Sequence, residues 1–171
     1  MGAAIRISDK FLKSEGIRSQ HAATKNQYLT MLLEADKSRI CKYGTAQTLK
    51  YDLSELGMYS RTCKLLEAGL IQRVGKSTYK VRVIRGTNGQ EIPEGYFLSD
   101  WFMSLSPYGR MVYLTMDIKA GERRMVRYTA REIMEYGFAP KTFYEAINGE
   151  LIDAGLVERI GSAAYRLKGV T

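Results

Sequence analysis

One histidine, two cysteines, three prolines and one tryptophan are spread over 171 residues, and each scarcity removes a class of function. With His21 alone there is no imidazole pair, and Cys41 and Cys63 are not closely spaced, so no zinc site of recognisable spacing exists. Nothing nominates a Ser-His-Asp or Cys-His constellation. Glu132 and Glu135 stand three apart, which fits an exposed acidic helix face better than acid–base work. Catalysis, a metal and a cofactor are therefore not expected. Two cysteines in a basic chain read as reduced and packed, which suits the cytoplasm. No apolar run approaches the roughly 20 residues of a membrane span. The opening MGAAIRISDKF has no apolar core of a signal peptide, and Arg6 stands where a myristoylation signal wants Ser or Thr. A membrane partner is not expected.

Charge is what the chain has in excess. Its net charge is +8 with a pI near 9.5, which favours a polyanionic partner, with nucleic acid foremost. The charge is uneven. Residues 1–86 hold 16 Lys and Arg against 7 Asp and Glu, net +9, whereas residues 87–171 hold 10 against 11, net −1.

The chain is also a duplicate of itself. LLEAGLIQRVGKSTYKV (65–81) aligns without a gap on LIDAGLVERIGSAAYRL (151–167), with seven of seventeen positions identical. Upstream, YLTM occurs at 28–31 and 113–116, RICKY (39–43) mirrors RMVRY (124–128), and ISDKFL (7–12) mirrors LSDWFM (98–103). RGTNGQEIPEG between the copies carries the turn residues of a linker. The expected division is a first domain at 1–85, a linker at 86–95 and a second domain at 96–171.

Each copy reads as helix, short strand, helix, turn, helix, hairpin. The first helix spans about Thr24 to Asp36, with Tyr28, Leu29, Leu32 and Leu33 on one stripe. The second starts near Thr45 and runs to a turn at Gly57, and the third opens at Ser60 as N-cap. In copy two, Thr129 and Glu132 have capping-box spacing, Gly137 makes the turn and Pro140 suits the first turn of the third helix. Counted from Gly57 and Gly137 to the shared leucines, Leu65 and Leu151, the third helix is longer in copy two.

This order resembles the winged helix, a helix-turn-helix with a β-hairpin wing, and both GMYSRTCKLLEAGLIQRVG and GFAPKTFYEAINGELIDAGLVERIG resemble its third helix and first wing strand. The resemblance implies an α+β fold of two tandem winged helices. It also implies double-stranded DNA as partner, read by the third helices. YFLSDWFMSLSPYGRMVYLTM is loosely similar to winged helices of plasmid replication initiators and phage replisome organisers. That resemblance implies a role in replication on a mobile element, with transcriptional repression as the alternative.

One stretch tests this reading. Gly75-Lys76-Ser77-Thr78 imitates a phosphate-binding loop, but the glycine required at position 70 is Leu70, and a helix precedes where a strand should. Copy two replaces Lys76 and Ser77 by Ser162 and Ala163, which a hairpin survives and a nucleotide site would not. The expected DNA contacts are therefore Ser60, Arg61, Thr62 and Lys64 on the third helix of copy one. Its wing adds Arg73, Lys76, Ser77, Lys80, Arg82 and Arg85. Copy two offers Lys141, Thr142, Tyr144 and Asn148, or else uses its surface for a homodimer or protein contact. A protein-interaction module and an RNA-binding module are the rival classes.

Overall fold

The computed structural model describes residues 3–84 and 89–169. Strand β1 (Ala4–Ile7) leads into short helices α1 (Asp9–Lys13) and α2 (Glu15–Arg18) and the long α3 (Ala22–Glu34). Strand β2 (Ile40–Lys42), helices α4 (Thr45–Lys50) and α5 (Met58–Glu67) and the hairpin β3 (Ile71–Gly75) and β4 (Thr78–Val81) complete the first copy. Strand β5 (Gln90–Pro93), α6 (Glu94–Phe97) and α7 (Asp100–Met103) introduce the second, followed by the long α8 (Pro107–Ala120). Then come β6 (Met125–Arg127), α9 (Ala130–Glu135), α10 (Pro140–Glu145) and the hairpin β7 (Val157–Gly161) and β8 (Ala164–Leu167). The architecture is α+β, built on small antiparallel sheets ordered β2-β4-β3 and β6-β8-β7. A third sheet joins the copies. β1 and β5 pair antiparallel, Ile5 opposite Ile92, so residues 90–93 of the expected linker are a strand; residues 86–88 lie outside the described ones.

Neither long helix has a single apolar stripe. In α3 every residue from Thr24 to Met31 is buried, and in α8 every residue from Gly109 to Asp117. The cause is that α3 and α8 pack on each other while each also carries its own copy's core, Tyr28 and Leu65 in one and Tyr113 and Leu151 in the other. A helix covered on all sides must then satisfy its polar groups internally. Asn26 donates to the carbonyl of Pro107 at 2.8 Å, Gln27 donates to Thr62 Oγ1 at 2.8 Å, and Thr30 Oγ1 meets the Tyr43 hydroxyl at 2.7 Å.

The cross-copy bonds are reciprocal. Lys25 of α3 donates to the carbonyl of Tyr136, at the end of α9, at 3.0 Å. Arg110 of α8 donates to the carbonyl of Tyr51, at the end of α4, at 3.0 Å. These residues are equivalent in the two copies, since 25 and 110, like 51 and 136, are 85 apart. Such mutual exchange is the signature of an approximate two-fold relation. Each cation also suits the negative end of the helix it caps.

Four pairs of left-handed residues mark the same duplication: Arg39 with Arg124, Asp52 with Gly137, Gly69 with Gly155, and Ser77 with Ala163. They correct one expectation. The second helix ends at Lys50, and the turn of copy one is Asp52 (φ +50°), not Gly57. The third helix therefore opens at Met58, after a short 3₁₀ turn, and Ser60 lies inside it. Counted from Asp52 and Gly137, the two copies differ by one residue. Copy two holds that residue as a π turn, Ala146–Leu151, continuing α10, the usual way a helix accommodates a single insertion.

Gly137 answers to two demands, a φ of +77° and the Arg18 carbonyl of the other copy, which would lie 1.8 Å from an added Cβ. Gly137→Ala should cost at least about 1–3 kcal/mol from the backbone alone, read as a lowered urea midpoint at unchanged slope. Lys25, 2% exposed, gives a second expectation. Burial lowers its pKa to about 8 from an ordinary 10.5. Below pH 8 the folded and unfolded chains both carry the charge, so its full burial cost is present. Between about 8 and 10.5 the folded chain sheds a proton that the unfolded chain keeps, and stability rises with pH. The gain should reach about 3 kcal/mol relative to Lys25→Met, which lacks the titrating group. Parallel stability–pH curves for the two proteins would contradict it.

Candidate nucleic-acid interface

The cationic face of the chain lies on the β2-β4-β3 sheet. Along β4 the alternation is strict: Tyr79 and Val81 point into the core, while Lys80 points out and Arg82 follows it on the exposed side. Register places Lys80 between Ile40 of β2 and Gln72 of β3, and Lys42 opposite Thr78. Arg39, Lys80 and Arg82 line one shallow cavity of about 280 Å³ with Gln72. Arg73 and Lys76 line a neighbouring one at the hairpin tip. The tip is a two-residue turn, Lys76-Ser77, with Ser77 left-handed and a bulge between Arg73 and Gly75. Ser77 is half-buried, and its carbonyl accepts from the Tyr43 amide at 2.8 Å, which anchors the tip to the strand that leads into α4.

No carboxylate among the described residues pairs with Arg39, Lys42, Lys64, Arg73, Lys76, Lys80 or Arg82. The equivalent face of copy two is neutralised in part. Arg166 (in place of Lys80) pairs with Glu158 (in place of Gln72) at 3.6 Å. Arg124, in place of Arg39, is tied to the buried Asp117, and Ser162 replaces Lys76. Arg127, Arg159 and Lys168 remain exposed and without a carboxylate partner among the described residues.

The third helices depart from expectation in part. Ser60 and Lys64 are exposed, together with Tyr59 and Glu67. Arg61 and Thr62 are buried, at 8% exposure each. Arg61 Nε donates to Gln27 Oε1 at 2.7 Å and its NH2 to the Ser54 carbonyl at 2.5 Å. Thr62 Oγ1 donates to the Met58 carbonyl at 2.8 Å and accepts from Gln27. Both are therefore struts that tie α5 to α3, and neither can reach a groove. The expected outer face did not allow for Gln27, which draws Arg61 and Thr62 inward once α3 is enclosed. In copy two, Lys141, Thr142 and Asn148 are exposed, with Glu145 lying 3.9 Å from Lys141. Tyr144 is half-buried and its hydroxyl donates to the Tyr128 carbonyl at 3.3 Å. Arg85 lies outside the described residues.

Sequence reading missed Arg39 and Lys42 as part of this face. The signal was available, because RICKY aligned with RMVRY as a basic strand in both copies, but the pairing of that strand with β4 is what carries these charges to the hairpin. The cysteines are both free, Cys41 buried and Cys63 half-buried. Among the described residues no cluster of His, Cys, Asp and Glu could hold a metal ion, and no helix is long and apolar enough to cross a membrane. No family model, curated protein or solved structure matches the chain.

Arg61→Ala should act on the fold. It removes two hydrogen bonds from a charged donor and strands the Gln27 carbonyl oxygen, at a cost of about 1.5–3 kcal/mol. In a selection from random duplexes its preferred sequence should match that of the parent protein. A changed preference at unchanged stability would return Arg61 to the groove.

Proposed function

We propose that the chain is a non-catalytic, double-stranded DNA-binding protein of two tandem winged helices, acting in replication initiation or its regulation on a plasmid or phage. The winged-helix reading is supported by the repeated order of helix, short strand, two helices and hairpin, with the short strand paired to the returning strand of the hairpin. The DNA reading rests on one observation: the exposed, uncompensated cations of the β2-β4-β3 face, of whose equivalents in copy two only Arg127, Arg159 and Lys168 stay uncompensated. Cations without carboxylate partners lose nothing internal when they meet phosphate, and they release the counter-ions of the duplex. Lys64 and Ser60 on the exposed side of α5 are the base-reading candidates of copy one. The replication setting rests on the resemblance of residues 96–116 alone, and repression by the same binding mode is its alternative.

A second reading has its own observation. Leu49, Leu56 and Tyr59 are 60%, 101% and 77% exposed at the edge of α4 and α5, and exposed apolar groups in one region suit a protein partner. Binding measured against salt separates the two. For the parent protein, log affinity for duplex DNA should fall steeply with log salt, and Lys80→Ala or Arg82→Ala should each flatten the slope by about one unit. Arg166→Ala should leave it almost unchanged, because Glu158 already neutralises that charge. Absence of salt-dependent duplex binding would overturn the DNA reading and leave the apolar edge as the functional surface.

A further inference from the structure

The two long helices begin differently, and the difference leaves one of them short of an anion. The first turn of α8 is closed by its own chain. Ser106 Oγ accepts from the Gly109 amide at 3.0 Å, and the Glu150 carboxylate accepts from the Ser106 amide and, at 2.8 Å, from the Ser106 hydroxyl. Glu150 lies so close over that first turn that a Cβ on Gly109 would meet its oxygens. A carboxylate at this end of a helix is where the dipole favours it.

At the start of α3 the equivalent of Ser106 is His21, whose side chain makes no cap bond, and the equivalent of Glu150 is the exposed Lys64. The amides of Ala22, Ala23 and Thr24 have no acceptor among the described residues. Of these three residues Ala22 lines a cavity of about 200 Å³ between the copies, together with Arg18, His21, Lys25, Tyr108 and Phe138. Lys25 is almost wholly buried there and faces no carboxylate among the described residues. Of its three N–H donors one is used, on the Tyr136 carbonyl, and its ammonium sits 4.4 Å from the centroid of the Phe138 ring. The Tyr108 hydroxyl is buried and has no hydrogen-bond partner among the described residues. The copy-two cation avoids this position, since Arg110 has the Asp52 carboxylate at 2.9 Å, where copy two has Gly137.

We infer that this cavity is a binding site for a small tetrahedral oxyanion of the phosphate class, held by Lys25 and the free amide of Ala22 at the start of α3. The ligand would occupy the place that Glu150 takes on α8. Helix starts with free amides bind phosphate by the same physics. A cavity of about 200 Å³ is smaller than the roughly 300–1,000 Å³ of pockets for drug-sized ligands, so the site selects a phosphate group rather than a whole nucleotide. The inference stands apart from the DNA reading, because it uses none of the residues of the β2-β4-β3 face.

Inorganic phosphate titrated into the full chain, against sodium chloride at matched ionic strength, tests it. Phosphate should raise Tm saturably, and the ¹⁵N–¹H resonance of Ala22 should shift along the same curve. Lys25→Met, which removes the charge without stranding an opposite one, should weaken phosphate binding by at least about tenfold. The source of the phosphate group is read by adding duplex DNA. A duplex phosphate in the site would shift the same amide and compete with inorganic phosphate, whereas a free anion would leave it unmoved by duplex. Overturning results are a Tm gain no larger than that from chloride, an unmoved Ala22 amide in the parent protein, or equal phosphate affinity in Lys25→Met.

Discussion

Burying two long helices against each other sets the terms for everything else in this chain. Once α3 and α8 are covered on all sides, their polar side chains must find partners inside the protein, and for Lys25, Asn26 and Arg110 those partners lie in the opposite copy. Lys25 caps the end of α9 and Arg110 caps the end of α4. Removing one partner of a buried polar contact costs more than the contact contributes, because the remaining group is left dry and unpaired. The reciprocal caps, the β1–β5 pairing and the continuous core therefore make the copies parts of one body. The inner sides of both are committed to that union. The sheets and the third helices face solvent on the outer sides, while the inner sides differ too, with Asn26 and Gln27 matched by Met111 and Val112.

Three of the differences on those outer sides lower the charge of copy two, although Ser38 and Ala46 become Arg123 and Arg131. Gln72 becomes Glu158, Lys76 becomes Ser162 and Lys64 becomes Glu150. Each change lowers the positive charge of copy two, and two of the new carboxylates have structural tasks, one beside Arg166 and one over the start of α8. Copy one shows the converse. Its sheet face keeps its cations uncompensated, and its first long helix starts without a carboxylate. These three changes account for four of the ten charges that separate +9 from −1.

Much of the fold was legible because the determining signals are local. Thr129 and Glu132 form the capping box that their spacing announced, Pro140 stands at the first turn of α10, and the hairpin turn falls at Lys76-Ser77. What was not legible depended on context. Gly57 looked like the turn of copy one, but the left-handed residue is Asp52, which Arg110 rewards with an ion pair; no local rule favours the aspartate over the glycine. Arg61 looked like a reader of bases because an arginine in a basic helix is normally solvated. Its burial follows from Gln27, thirty-four residues earlier, which needs a donor once α3 is enclosed. The single-residue insertion in copy two was hidden for the same reason, since it shows only against the correct turn residue.

The central claim is that one face of a fused pair, the β2-β4-β3 sheet of copy one, meets polyanion while its twin does not. Chemical-shift mapping of the intact, isotope-labelled chain with a short DNA duplex tests this most directly. The account predicts perturbations concentrated on Arg39, Lys42 and residues 73–82, with the β6-β8-β7 sheet much less affected. Equal perturbation of both sheets, or perturbation centred on Leu49, Leu56 and Tyr59, would contradict it.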